Sequence, residues 1–229
     1  MATVLALGLG GTAAVAAPVS APSTSLSAED HAFLEQQFKT LGVAEEVQDD
    51  LVESIARGDM PDADSGDVEP VQESERVLRD GTLEVRKTYP DGSVNLATEI
   101  PDVPVVDQGA ITPFSVTGCG RRQSGNTTYM TGCFVRHAAT TWTMSFYSNF
   151  HYGLNGHYIS SISQPRTGGI GVGSGTLSYI QRSAGSSGTA IAEIRARQTQ
   201  QIGGIGASRD IGMQLRVSLS GGRTTHWGS

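Results

Sequence analysis

Residues 140–150 carry the pattern that decides the fold, and they read TTWTMSFYSNF. Every second residue from Trp142 to Phe150 is apolar, apart from Ser148, while the residues between them are mostly polar. Successive side chains of a β-strand point to opposite faces, so this alternation predicts a strand with one buried face.

Similar segments follow one another through the C-terminal half, separated by turns rich in glycine. In the last of them, Met213, Leu215, Val217 and Leu219 are predicted to point inward. Seven or eight short antiparallel strands, with no convincing helix among them, are typical of a β-sandwich or a barrel. The predicted strands span residues 127–135, 140–150, 157–163, 176–182, 190–200 and 211–219.

Helical periodicity is confined to the N-terminal half. A capping pattern at residues 27–30 precedes an apolar helix face that Gly42 ends, and a second helix is predicted over 44–57. Three strands follow at 76–79, 82–89 and 93–100. The fold is therefore predicted to be mainly β: a C-terminal antiparallel β-sandwich or barrel, preceded by a short helical pair and a three-stranded β-meander.

The first residues predict export. Residues 4–17 are small and apolar, and Ala14-Val15-Ala16 matches the pattern that precedes a signal-peptide cleavage site. The run is shorter than the roughly 20 residues that a membrane helix needs, so we expect no transmembrane span after signal removal. We expect a secreted, extracellular protein with a signal peptide (1–17), a linker (18–27), an acidic unit (28–100), a second linker (101–113) and a basic all-β domain (114–229).

The two cysteines, Cys119 and Cys133, are predicted to form a disulfide, because an even cysteine count in an exported chain favours pairing. For a loop of this size the chain-entropy model gives a stabilisation of about 3 kcal/mol. The spacing does not match the paired ligands of a structural zinc site. We expect neither a metal nor a cofactor.

Charge is divided by position. Residues 1–110 hold 21 of the 23 acidic side chains and 6 of the 16 basic ones, whereas residues 111–229 hold 10 arginines, Glu193 and Asp210. The two halves therefore carry net charges of −15 and +8. This asymmetry predicts an intramolecular acidic–basic contact or an anionic partner, although high-GC codon usage is an alternative reason for the arginines.

Arginine and tyrosine are the candidate binding residues. Arginine suits bidentate contact with phosphate or carboxylate groups, and tyrosine rings stack on sugars or bases. The candidates are Arg121, Arg122, Arg136, Arg195, Arg197, Tyr147, Tyr152 and Tyr158.

Patterns typical of catalysis are weak, and no catalytic residue is predicted. His151 and His157 flank the GLNG turn at 153–156 and would approach each other across a hairpin. There is no G-x-S-x-G turn. Only two acidic residues follow residue 110. This scarcity of carboxylates argues against a glycosidase or an aspartic protease in the C-terminal half, because these enzymes need a positioned carboxylate pair.

Short motifs give the chain a family likeness. They are the signal sequence, the helical pair ending near 56–58, residues 89–94 (YPDGSV), Gly118-Cys119, Gly132-Cys133, residues 145–147 (SFY) and residues 158–160 (YIS). With these motifs the chain resembles a family of secreted, functionally uncharacterised proteins of high-GC Gram-positive bacteria. The resemblance implies a fold and a location, and it implies no activity.

Three functions are consistent with these patterns. The first is a secreted, non-catalytic module that binds an anionic cell-surface polymer, such as a cell-wall or acidic polysaccharide, and is masked by the acidic N-terminal region acting as a pro-region or an intramolecular partner. The second is a hydrolase or toxin made as a zymogen, using His151 or His157. The third is a structural envelope or adhesion protein.

Overall fold

A computed structural model describes residues 26–78, 82–101, 119–202 and 205–228. Within these ranges the chain forms helices α1 (Ala28–Leu41), α2 (Glu45–Arg57) and α3 (Asp62–Ser65), followed by twelve strands. The strands are β1 (Gln72–Val77), β2 (Leu83–Thr88), β3 (Val94–Pro101), β4 (Gly120–Ser124), β5 (Thr127–Ala138), β6 (Trp142–Gly153), β7 (His157–Gly169), β8 (Thr176–Gln181), β9 (Ser183–Ala184), β10 (Ala190–Ile202), β11 (Ile205–Ser218) and β12 (Gly221–Gly228).

All twelve strands belong to one antiparallel sheet. Its main path runs β8-β10-β11-β12-β3-β5-β6-β7-β9, with β2 also paired to β3, β1 to β2, and β4 to β5. The ends of this path approach each other, since the N–H of Ile159 donates to the carbonyl of Arg182 at 2.9 Å and Val172 bridges Gln198. The sheet is thus a nearly closed barrel, and the predicted mainly β fold is confirmed.

The barrel is filled by the alternating side chains of its long strands. The predicted inward face of β6, from Trp142 to Phe150, is buried throughout. Met213 and Val217 of β11 are also buried, each at 0% exposure. Leu219 was predicted to point inward, and this is wrong: it is 46% exposed, because β11 ends at Ser218 and Leu219 lies in the following turn.

The predicted helical pair is present and capped as expected. The hydroxyl of Ser27 accepts a hydrogen bond from the N–H of Asp30 at 3.1 Å, and Gly42 ends α1 with a φ of 66°. A second apolar cluster joins the pair to β3 and to the end of β5. Its buried members are Leu34, Phe38, Leu41, Val43, Leu51, Ile55, Val94, Leu96, Ala138 and Ile170.

The short helix α3 lies in a segment that has no periodicity, because four residues make only one turn. Its Asp64 is fully buried. The Asp64 carboxylate accepts hydrogen bonds from the N–H groups of Thr140 at 2.8 Å and Thr141 at 3.0 Å, and from the Thr141 hydroxyl. Arg209 of β11 lies 3.8 Å away. The helix is therefore anchored to the β5–β6 turn.

Two histidines stack where β12 comes close to β5. The ring centroids of His137 and His226 are 4.1 Å apart, with an interplanar angle of 21°. Both ring nitrogens of His137 and Nε2 of His226 are buried without a hydrogen-bond partner. Burial lowers the pKa of His226 to about 4 and that of His137 well below its usual value. The pair is therefore uncharged at neutral pH.

Strand β3 precedes the predicted 101–113 linker, yet it pairs with β12 and β5, which follow that linker. Charges also meet between the halves: Arg223 Nε lies 3.0 Å from Glu99 Oε1. The division into two units stays a prediction, but one sheet contains strands from both sides of it. The signal peptide, the Asp80-Gly81 turn and residues 102–113 of the linker lie outside the described residues.

No helix in the described ranges is long and apolar enough to cross a membrane.

Candidate functional site

A row of side chains crosses the outer face of the barrel from β4 to β7. The strand registers place Arg122 opposite Tyr129, Tyr129 opposite His151, and His151 opposite Tyr158. The sequence neighbours of these three rings on β5, β6 and β7 are buried, so the row faces away from the core. We call Tyr129, His151 and Tyr158 the aromatic row.

The rings of the aromatic row contact one another. The Tyr129 and His151 centroids are 5.3 Å apart, and the His151 and Tyr158 centroids are 5.4 Å apart, with tilts of 40° and 34°. Tyr129 is 42% exposed. The rings of the row therefore pack partly against one another, and the parts left exposed form a continuous aromatic strip.

An arginine lies at each end of the aromatic row. Arg122 on β4 is exposed beside Tyr129. At the other end, the Arg182 guanidinium lies 5.2 Å from the Tyr158 centroid and 4.9 Å from that of Tyr179. Arg182 Nε also donates to the carbonyl of Ile159 at 3.3 Å, and these contacts fix its position.

A tight turn sets the pairing of His151 with Tyr158. The N–H of Gly156 donates to the carbonyl of Gly153 at 3.1 Å. Gly156 has a φ of 119°, and a Cβ at Gly153 would lie 2.1 Å from the Asn126 oxygen. Both positions therefore require glycine, and the resulting β6–β7 register places the two rings side by side.

A disulfide holds β4 in place. Cys119, next to the start of β4, is bonded to Cys133 of β5, which confirms the predicted bridge. The bridge ties β4 to β5 beside the row, so Arg122 stays next to Tyr129. Arg121, the neighbouring candidate, is half-buried and lies on the other side of the strand.

A cleft of about 430 Å³ lies along the row. No Asp or Glu is among the described residues that line it. His157, also in its lining, is 2% exposed, and its Nε2 lies 3.2 Å from the Ser186 carbonyl. Because a carbonyl only accepts, Nε2 carries a proton.

Burial lowers the pKa of His151 below its usual 6.5, and the nearby His157 lowers this pKa further. His151 is therefore neutral at pH 7. The cleft lining offers a neutral aromatic surface with no described carboxylate to repel an anion, and Arg122 and Arg182 lie outside that lining at the two ends of the row.

Of the other predicted residues, Tyr147 and Arg136 lie on the same outer face as the row, farther along the strands. Tyr147 packs on Phe134 at 5.2 Å, and Arg136 is half-buried opposite Ser145. They do not join the aromatic row.

The prediction of Tyr152 as a stacking residue needs correction. It is 1% exposed and lies in the core, with its ring 6.3 Å from that of Phe150. Strand alternation puts it on the opposite face from His151. Its ring faces are therefore not available to a ligand.

Arg195 and Arg197 lie on β10, which pairs with β8 and β11 rather than with the strands of the row. The Arg195 guanidinium donates to the buried Glu193 at 3.1 and 2.8 Å and lies 4.9 Å from the Trp227 ring. Gly212 makes room for this ring, since a Cβ there would meet it at 2.5 Å. Arg195 is thus neutralised by Glu193, whereas Arg197 is exposed.

Sequence reasoning missed Tyr129, Arg182 and the stacking role of His151. The GLNG turn alone could have paired His151 with Tyr158. Tyr129 needed the β5–β6 register, which shifts at a bulge between Met130 and Cys133. Identification of Arg182 required knowledge of how the barrel closes, which no local pattern specifies.

Within the described ranges, no group of three or more His, Cys, Asp or Glu side chains is placed to hold a metal ion.

Comparison with known proteins gives little similarity. No family model matches the chain, and no curated protein matches it. Among solved structures it is similar to a hypothetical protein from Listeria monocytogenes EGD-e, at 17% identity and a TM-score of 0.29, over 69% of this chain and 93% of that one. This likeness carries no argument about function.

Proposed function

We propose that this protein is a secreted, non-catalytic module that binds an acidic polysaccharide, and that the aromatic row is its binding surface. The observation that carries the proposal is the order Arg122, Tyr129, His151, Tyr158, Arg182 along one outer face. It combines aromatic contact area with a cation at each end.

The two kinds of side chain have different roles. The exposed parts of the rings remove the apolar C–H surface of a sugar from water, which is the larger source of affinity. The guanidinium groups pair with acidic substituents and select against neutral polymers. The described residues that line the cleft include no carboxylate. This supports an anionic ligand, and it gives no support to a hydrolase that uses two carboxylates.

The acidic helices do not lie on this surface. They pack on Ala138 at the far end of β5, nine residues from Tyr129, or about 30 Å at the rise of a strand. Masking of the aromatic row by the acidic region therefore stays a prediction. We propose that the row is open to a ligand in this conformation. The hydrolase and envelope-protein alternatives also stay predictions.

Retention of the full chain on an immobilised acidic polysaccharide tests the proposal. We expect retention that weakens as salt rises, and we expect Arg122→Gln with Tyr158→Ala to reduce it at least tenfold. Arg197→Gln is the matched control, because this arginine is also exposed but lies off the row. Retention that is independent of salt, or that falls equally in the control, would contradict the proposal.

A further inference from the structure

We infer that the ligand is a linear chain of uronic acids lying across the strands, with one sugar unit against the exposed edge of each of Tyr129, His151 and Tyr158. This inference rests on the proposed function and specifies its ligand. A trisaccharide is then the shortest oligosaccharide that spans the site.

The spacing of the row supports this orientation. Neighbouring strands are about 4.8 Å apart, and the ring centroids repeat at 5.3 and 5.4 Å. This interval is comparable to the length of one pyranose unit in an extended polysaccharide. A chain running along a single strand would instead meet only one ring of the row, because the three rings come from three strands.

The charges at the two ends specify acidic sugars. Arg122 is beside the first ring and Arg182 beside the third, so the two terminal sugars of a trimer bring their carboxylates to a guanidinium. A uronic acid carries its carboxylate on the ring itself, so the ring contact and the ion pair form together. A polyol phosphate has charge but no ring to place on the row.

The geometry favours a polysaccharide over single-stranded nucleic acid. The bases of a single strand also stack on aromatic side chains, so ring spacing does not separate the two ligands, whereas the distribution of charge does. Proteins that bind single strands provide a basic groove along the whole backbone, whereas here the arginines flank the rings at the ends. Binding of nucleic acid is therefore an alternative outcome of the test.

A length series of oligouronates tests the inference on the full chain. Calorimetry with chains of two to six units should show at least a tenfold gain in affinity from two units to three, and smaller gains beyond three. Tyr129→Ala should bring the trimer to the affinity of the dimer. The matched control Tyr147→Ala, a tyrosine on the same face but off the row, should keep the step.

The results separate this inference from the proposed function. Salt-dependent binding of the long polymer, without a step at three units, would overturn the orientation and leave the binding function standing. Tighter binding of a single-stranded oligonucleotide or a polyol phosphate, at equal charge, would overturn the ligand class. Failure to bind any polyanion would overturn the proposed function itself. Thermal melts of each variant establish that it is folded.

Discussion

Asp64 accepts two hydrogen bonds from Thr141, one from its N–H at 3.0 Å and one from its hydroxyl, although the two residues are 77 positions apart. Burial raises the pKa of Asp64, while the Thr141 hydroxyl and the Arg209 guanidinium act to lower it. The contact joins the acidic half of the sequence to a turn of the barrel.

Replacing Asp64 should therefore destabilise the protein strongly. Asp64→Ala leaves the buried N–H groups of Thr140 and Thr141 without an acceptor, at a cost of about 3 kcal/mol or more. Chemical denaturation measures this loss. The exposed Asp67→Asn is the control and should stay within about 0.5 kcal/mol of the wild type; an equal loss in both variants would contradict the role of Asp64.

The stacked histidines predict a loss of stability in acid. The folded-state pKa of His226 is about 4, below its unfolded value of 6.5, so the unfolded chain binds the proton first as pH falls. The contribution of His226 to the free energy of unfolding is fully present above pH 6.5. It falls by about 3 kcal/mol as the pH is lowered towards 4. Urea titrations at pH 7 and pH 5 measure the change. His226→Phe should flatten it, and an unchanged slope would argue against His226 as the cause.

Ligand binding should have its own pH dependence. The pKa of His151 is lowered by burial in the free protein, and a bound carboxylate would favour its protonated form. Affinity for an acidic oligosaccharide should therefore increase as pH falls from 7.5 to 5.5. Proton uptake in calorimetry with different buffers measures the coupling. His151→Gln should abolish the uptake, and uptake that persists would assign it to another group.

Loss of the disulfide should weaken both stability and binding. Cys119→Ser with Cys133→Ser should lower the unfolding free energy by about 3 kcal/mol. It should also weaken retention on acidic polysaccharide, because β4 and Arg122 are no longer tied beside Tyr129. A reductant provides the control: it should lower the wild type to the level of the variant and leave the variant unchanged.

Local patterns predicted much of the fold. The alternation from Trp142 to Phe150 identified a buried strand face, and the Ser27 and Gly42 caps located α1. These features depend on residues close together in sequence, so periodicity and capping suffice to find them. The buried Asp64 escaped prediction because its partners lie on a distant turn.

The binding surface was only partly predictable. Arg122 and Tyr158 were selected by residue type, but so was the buried Tyr152. Which face a residue occupies depends on register, and β5–β6 and β6–β7 both shift at bulges. The meeting of Arg182 with Tyr158 also depends on closure of the sheet, which is a property of the whole chain.

The central place of β3 has a consequence for cleavage of the backbone. Because β3 is hydrogen-bonded to β2 along one edge and to β5 and β12 along the other, a cut between residues 101 and 119 would leave two fragments sharing one sheet. Such a nicked protein should stay associated through β3 rather than release an acidic peptide. Fragments 26–101 and 119–228, made as separate chains, should complement each other on mixing.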